Sequence, residues 1–206
     1  MTFSNEEIEA LKCEIKKRLS EPRYLHTLGV ARAASRLCEL CLPSHTSEAA
    51  VAALLHDVTK EYSHEEQKSI IKEEDILIDG EDENTPAILH SFTAPAVIRR
   101  DFAKFATDSV LSSVLFHTLG SPDMSVFDEI IFLADFIEDT RTYPSSVSLR
   151  SYVFENMKLG KTEENLKILH KACIMSIDFT AEHLKKNKKC INTKNVLTRN
   201  ALLSKI

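Results

Sequence analysis

His56 and Asp57 follow AVAALL, an unbroken apolar run that begins at Ala50. An imidazole and a carboxylate therefore stand side by side at the end of a helix that must be buried. Lone burial of either group costs several kcal/mol, so each must be hydrogen-bonded, paired or metal-bound. Asp135 poses the same conflict inside IIFLADFI, where one acid interrupts an apolar helical run. It is open to two readings, a cap or arginine partner and a metal ligand facing the interior of a bundle. With His26, beside Leu25 in a helical segment, the set comprises two imidazoles and two carboxylates. Such donors suit iron, manganese, cobalt, nickel or zinc better than calcium or magnesium. His90 and His117, also beside apolar residues, are candidates to complete a second metal's shell or to donate to a bound phosphate.

Cations accompany these groups. Arg23 is one turn before His26, Lys60 one turn after Asp57, and Arg141 six residues after Asp135. Each alone reads better as a solvated or ion-paired base. Three beside three separate ligand segments point to a phosphate substrate. His45, His64, His170 and His183 have polar or charged neighbours and are expected at the surface. Cys38 and Cys41 form a lone CxxC one helical turn apart and read as packing cysteines. KKNKK at 185–189 closes a helix as a solvated face.

The elements that must position these residues are helical. Ser4 with Glu7 and Ser63 with Glu66 are capping boxes, and Ser125 with Asp128 opens another helix. The first helix carries Ile8, Leu11, Ile15 and Leu19 on one face; the next, after Pro22, carries Leu25, Leu28, Leu37 and Leu40. Further helices are expected near 47–60, 85–100, 108–118, 146–159, 162–186 and 193–204, with Gly160 a C-cap. The acidic stretch 73–84 reads as a mobile loop. The expectation is a compact all-α bundle of about eight to ten helices. It is read as one domain over 1–206, its core at about 20–142 and helices 146–204 packed on it.

The 206 residues carry a net charge of −5, which argues against a nucleic-acid binder. No apolar run approaches the ~20 residues that span a bilayer, and no signal peptide is visible. Five irregularly spaced cysteines fit the reducing cytoplasm. No glycine-rich phosphate loop is present.

RYLHTLGVA (23–31), AALLHDVTKEY (52–62), ILHS (88–91), FHTLG (116–120), IIFLADFIEDTR (130–141) and INTKNVLTRNALL (191–203) occur in that order. Together they resemble the HD-domain metal-dependent phosphohydrolases, and within them the bacterial YqeK family of symmetrical bis(5′-nucleosyl)-tetraphosphatases. Ser91 stands where that pattern has glycine, Asp139 where it has proline and Phe136 where it has tyrosine. The resemblance implies hydrolysis of diadenosine tetraphosphate to two ADP, by attack of a metal-held hydroxide on a central phosphate. It implies iron, as one or two ions, with His26, His56, Asp57 and Asp135 at the metal-binding positions and His90 and His117 as pocket histidines, which would serve a second ion if one is present. It assigns Asp57, Lys60, His90 and His117 to catalysis. Substrate contacts fall to Arg23, His26, Lys60, His90, His117, Thr118 and Arg141. A dinucleoside polyphosphate is the expected partner, with no nucleic acid or membrane, and a homodimer is expected. The alternatives are another HD nucleotide phosphohydrolase and a non-catalytic nucleotide-binding HD module.

Overall fold

The computed structural model describes residues 2–206 and shows no β-strand among them. The helices are α1 (Asn5–Lys16), α2 (Glu21–Cys41), α3 (Thr46–Leu55), α4 (His64–Glu73), α5 (Gly80–Glu83), α6 (Leu89–Asp101), α7 (Asp108–Phe116), α8 (Val126–Ile137), α9 (Pro144–Asn156), α10 (Thr162–Lys186) and α11 (Thr193–Leu203). Single 3-10 turns lie at Pro43–His45, Pro86–Ile88 and Ala103–Phe105. Ser4, Ser63 and Ser125 each form the reciprocal cap their sequences promise.

α3 is the axis of the bundle. Ala49 and every residue from Val51 to Leu55 are fully buried, as a helix that is apolar all round must be. α1, α2, α7 and α8 pack around it. Where α3 ends, His56 and Asp57 are delivered directly into the interior. α9 and α10 pack on α8, α10 also reaches α2, and α11 lies on α10.

Three local expectations need correction. The inner stripe of α2 consists of Val30, Ala34, Leu37, Cys38 and Cys41, whereas Leu25 is 50% exposed and Leu28 and Leu40 are half-buried. Small residues face inward because α2 runs closely along α3. Burial pushes the Cys38 and Cys41 thiols up to about 12, which fits inert packing.

The second correction concerns the acidic stretch, whose later part is anchored rather than loose, although 76–79 are irregular and Leu77 is 95% exposed. Asp79 caps α5, an eleventh helix beyond the expected number. Lys194 Nζ donates to Asp79 Oδ2 at 2.5 Å and also to the fully buried Asp82, and Asn192 Nδ2 donates to Asp82 Oδ1 at 2.9 Å. The third concerns His170, which is buried. Its Nδ1 lies 2.6 Å from Oε2 of Glu129, a fully buried acid that also accepts from Lys205 at 2.8 Å. His45 and His64 are half-buried, and His183 is exposed.

α11 also reaches the segment after His117. Asn195 Nδ2 donates to Leu119 O at 3.0 Å and Thr198 Oγ1 to the same carbonyl at 3.3 Å. The next residue, Gly120, has φ +73°, and a Cβ there would lie 2.5 Å from Thr198 Cγ2. Glycine is required on both counts.

Candidate metal and phosphate site

All ten site residues expected from the sequence converge at one end of α3. α2 contributes Arg23 and His26, and the turn after α3 contributes His56, Asp57 and Lys60. His90 comes from α6, His117 and Thr118 from the end of α7, Asp135 from α8, and Arg141 from the segment after it.

His56 and His117 are built alike. Each caps the C-terminus of its helix, where carbonyls lack intrahelical partners. His56 Nδ1 lies 2.7 Å from Ala53 O, and His117 Nδ1 lies 2.6 Å from Val114 O. A ring that donates from Nδ1 leaves Nε2 as a bare acceptor pointing onward. His26 is oriented likewise by Glu138, whose Oε1 lies 3.2 Å from Nδ1, so that its Nε2 turns toward the same point.

Neither His26 Nε2 nor His56 Nε2 has a hydrogen-bond partner, although both atoms are buried. Around them stand Asp135 Oδ1, 3.1 Å from His26 Nε2 and 4.0 Å from His56 Nε2, and Asp57 Oδ2, 3.8 and 3.3 Å from the same two atoms. Ligands about 2.0–2.2 Å from one ion are held some 3–4 Å from one another. The bare nitrogens and the N/O donor set thus fit a transition-metal ion. Asp57 turns its other oxygen, Oδ1, toward His90 Nε2 at 3.3 Å and His117 Nε2 at 3.7 Å. Those nitrogens are 3.1 Å apart, and Thr118 Oγ1 is 3.0 Å from His117 Nε2. One carboxylate joins two donor clusters.

The charges are strongly coupled. Burial opposes ionisation of Asp57, but His56, His117 and His90 outweigh it and hold the carboxyl well below its usual range. At Asp135 burial is likewise overcome, chiefly by Arg141, so it too stays ionised. Burial also works against the His26 cation, yet Asp135 and Glu138 raise it to about 9. His90 moves the other way: burial, then His117, pushes it well below 6.5 and keeps it neutral.

Each expected cation meets a group of the cluster. Arg23 Nη1 donates to Asp57 Oδ2 at 2.9 Å, and Arg141 Nη2 to Asp135 Oδ1 at 2.6 Å. Lys60 lies on the turn following α3, its Nζ 3.2 Å from His90 Nε2, and burial lowers its pKa. Arg23, His26 and Arg141 open onto a polar cavity of about 490 Å³. Ser91 and Asp139 are engaged elsewhere, Ser91 Oγ with Ile88 O and Asp139 with Arg32.

Glu138 was missed from the sequence. It is fully buried and held by Thr140 N at 2.6 Å and Thr140 Oγ1 at 2.7 Å. The available signal was a second acid three residues past Asp135, still within the apolar helix's end. Gly29 belongs with it, because a Cβ there would lie 2.2 Å from Glu138 Oε2.

A His–Asp pair at the end of a buried helix, flanked by His26 and Asp135, is the centre of an HD-type fold. Residues 23–138 match the HD domain family, and the chain belongs to it. Its membership is narrower still, among proteins named bis(5′-nucleosyl)-tetraphosphatase, symmetrical. The one from Bacillus subtilis is 33% identical over 95% of this chain and 97% of its own. That of Halalkalibacterium halodurans is 32% identical over 92% of this chain and 93% of its own. That of Staphylococcus aureus is 31% identical over 75% and 78%. A crystal structure from Clostridium acetobutylicum, described as a predicted HD superfamily hydrolase involved in NAD metabolism, covers both chains fully at 27% identity and a TM-score of 0.81.

Proposed function

We propose that the protein hydrolyses diadenosine tetraphosphate symmetrically, giving ADP as the sole product. The observation that carries this reading is the near-full-length identity to relatives bearing that name. The whole chain acts as one unit, since α11 holds the loop after His117.

His26 Nε2, His56 Nε2, Asp57 Oδ2 and Asp135 Oδ1 would hold one ion, and Asp57 Oδ1 with His90 and His117 a second. Bound there, such an ion supplies Lewis acidity toward phosphate oxygens and lowers the pKa of a coordinated water toward ~7. Iron is the ion of this reading, on the family resemblance, and manganese, cobalt and nickel suit the same donors. Arg23, Lys60 and Arg141 neutralise the polyphosphate and fix its register, which is most of what phosphoryl transfer asks of a protein. Asp57 orients the nucleophile. Because His90 is neutral, the Lys60 ammonium beside it is the proton-bearing group that faces the leaving oxygen. A bond from water oxygen to a central phosphorus forms as the bridging P–O bond breaks, and ADP departs.

We place the protein in the cytoplasm as a homodimer without nucleic-acid partners. Its five cysteines are all free, and no described helix is long and apolar enough to cross a membrane. Val196, Leu197 and Leu203 leave apolar surface on α11 for a second copy to cover.

Product analysis tests the activity. Protein purified without chelator is given diadenosine tetraphosphate, with and without iron, and the products are resolved by ion exchange. ADP alone is expected; AMP with ATP rejects the cleavage position, and intact substrate with metal-loaded protein rejects the activity.

Two further results are expected. Lys60→Ala keeps its metal content while kcat falls and KM for the substrate rises several-fold; metal loss would instead place Lys60 among the groups that hold the ion. In metal-free protein His26 carries a proton up to pH about 9, so metal must displace it. Its folded pKa lies above 6.5, so the stability from the protonated ring is complete below pH 6.5 and is lost as pH rises through about 9. Metal affinity therefore climbs about tenfold per pH unit between pH 7 and 9 from this group, then flattens. Chelator competition across that range checks it, and a flat profile would refute proton displacement.

A further inference from the structure

A second cavity, of about 720 Å³, adjoins the ion-ligand cluster on the side of α8 and α10. Its wall includes Phe136, Arg141, Tyr143 and Phe179, with His183 and Lys186 among its other lining residues. Arg141 and Tyr143 also line the polar cavity that contains Arg23 and His26. The two spaces therefore meet at a guanidinium already bonded to Asp135.

Their linings differ in a useful way. Both carry Arg141, acids and hydroxyls, with Glu182 the acid of the second, but only the second adds a near-parallel phenylalanine pair, Phe136 and Phe179, with centroids 6.3 Å apart and planes 14° apart. Both rings are only half-buried, so each keeps area for a ligand, and Tyr143 is 65% exposed beside them. A ligand suited to both spaces has a polyanionic centre and a flat apolar end. The volume lies within the ~300–1,000 Å³ typical of small-molecule sites.

We infer that this aromatic cavity is the seat of one purine nucleoside of the substrate, with Phe179 as the stacking platform and Arg141 at the nucleoside–phosphate junction. The inference rests on the proposed reaction for the substrate's identity. Its geometry is independent of that reaction, because a nucleoside diphosphate carries the same two chemical features. Ser145, Ser148 and Thr180 supply hydroxyls along the same wall for the sugar and base edge. Phe179 lies on α10, outside residues 23–138 that match the HD family. Nucleoside preference is thereby set by a different part of the chain from the one that holds the ion ligands.

The test is equilibrium binding, by calorimetry, of ADP and of inorganic pyrophosphate to the protein as purified and to Phe179→Ala, with Phe179→Tyr as the platform-preserving variant. Phe179→Ala is expected to weaken ADP about tenfold and leave pyrophosphate unchanged, while Phe179→Tyr retains ADP binding. Steady-state kinetics should match, with KM for diadenosine tetraphosphate raised about tenfold and kcat nearly constant. Unchanged ADP affinity in folded Phe179→Ala, or equal losses for ADP and pyrophosphate, would overturn the site. If wild-type protein leaves the tetraphosphate intact but Phe179→Ala still loses ADP selectively, the nucleoside site stands and only the reaction falls.

Discussion

Asp57→Ala abolishes turnover by at least about a thousand-fold and strips metal, with the helical circular dichroism spectrum retained. The magnitude follows from position: one oxygen faces His26 and His56 and the other faces His90 and His117. Its loss damages both donor clusters at once and also frees the Arg23 guanidinium that it pairs with at 2.9 Å. Loss of even one preorganised electrostatic contact to a transition state costs about a hundred- to a thousand-fold. The fold survives because Asp57 follows α3 and contributes nothing to the apolar packing of Val51–Leu55. Activity within tenfold of wild type, or undiminished metal by elemental analysis, would remove Asp57 from the centre of the site.

Gly29→Ala lowers metal affinity about 10–100-fold, although residue 29 is no candidate ligand. The new methyl would stand 2.2 Å from Glu138 Oε2, well inside contact distance. Glu138 is fully buried and tied to Thr140 and His26, so it cannot yield without breaking one of those bonds. Its carboxylate must leave His26 Nδ1, and the ring then loses both its orientation and the tautomer that bares Nε2. Partners of this kind are worth about 10–100-fold in metal affinity. Helix propensity alone predicts a fold more stable by roughly 1 kcal/mol and no loss of metal affinity. Chelator competition decides between them, with Glu138→Gln, which keeps the shape and an acceptor oxygen, as the milder comparison. Wild-type affinity in Gly29→Ala would show that Glu138 does not act through His26.

The candidate site was legible because its chemistry conflicts with its surroundings. An imidazole and an acid after AVAALL, and an acid within IIFLADFI, could be recognised one at a time, and the structure places them within a few ångströms. Helix starts were equally plain, since a capping box is a local device. What escaped was set by partners distant in sequence. His170 has polar neighbours in the chain but sits one helical turn from Leu166, Cys173 and Ile174, and its acid lies on α8. Residues 79–83 look loose until Asn192 and Lys194, more than a hundred positions away, are brought against them. In α2 four leucines suggested the inner face, whereas of them only Leu37 lies there, and close approach to α3 fills the rest of that face with Val, Ala and Cys. Glu138 and Gly29 form a single steric and electrostatic fit between two helices, which neither segment announces alone.

The clamp from Asn195 and Thr198 to Leu119 has a consequence for the order of events in synthesis. The ligand-bearing segments from His26 to Asp135 emerge from the ribosome well before the residues that hold the loop after His117. A nascent chain can thus assemble the first donor cluster around α3 while the His117 side is still unbraced. The loop after His117 gains its bracing at Leu119 only when α11 folds back onto α10. The timing of competence is written into the far end of the polypeptide, on a helix that contributes none of the donor atoms.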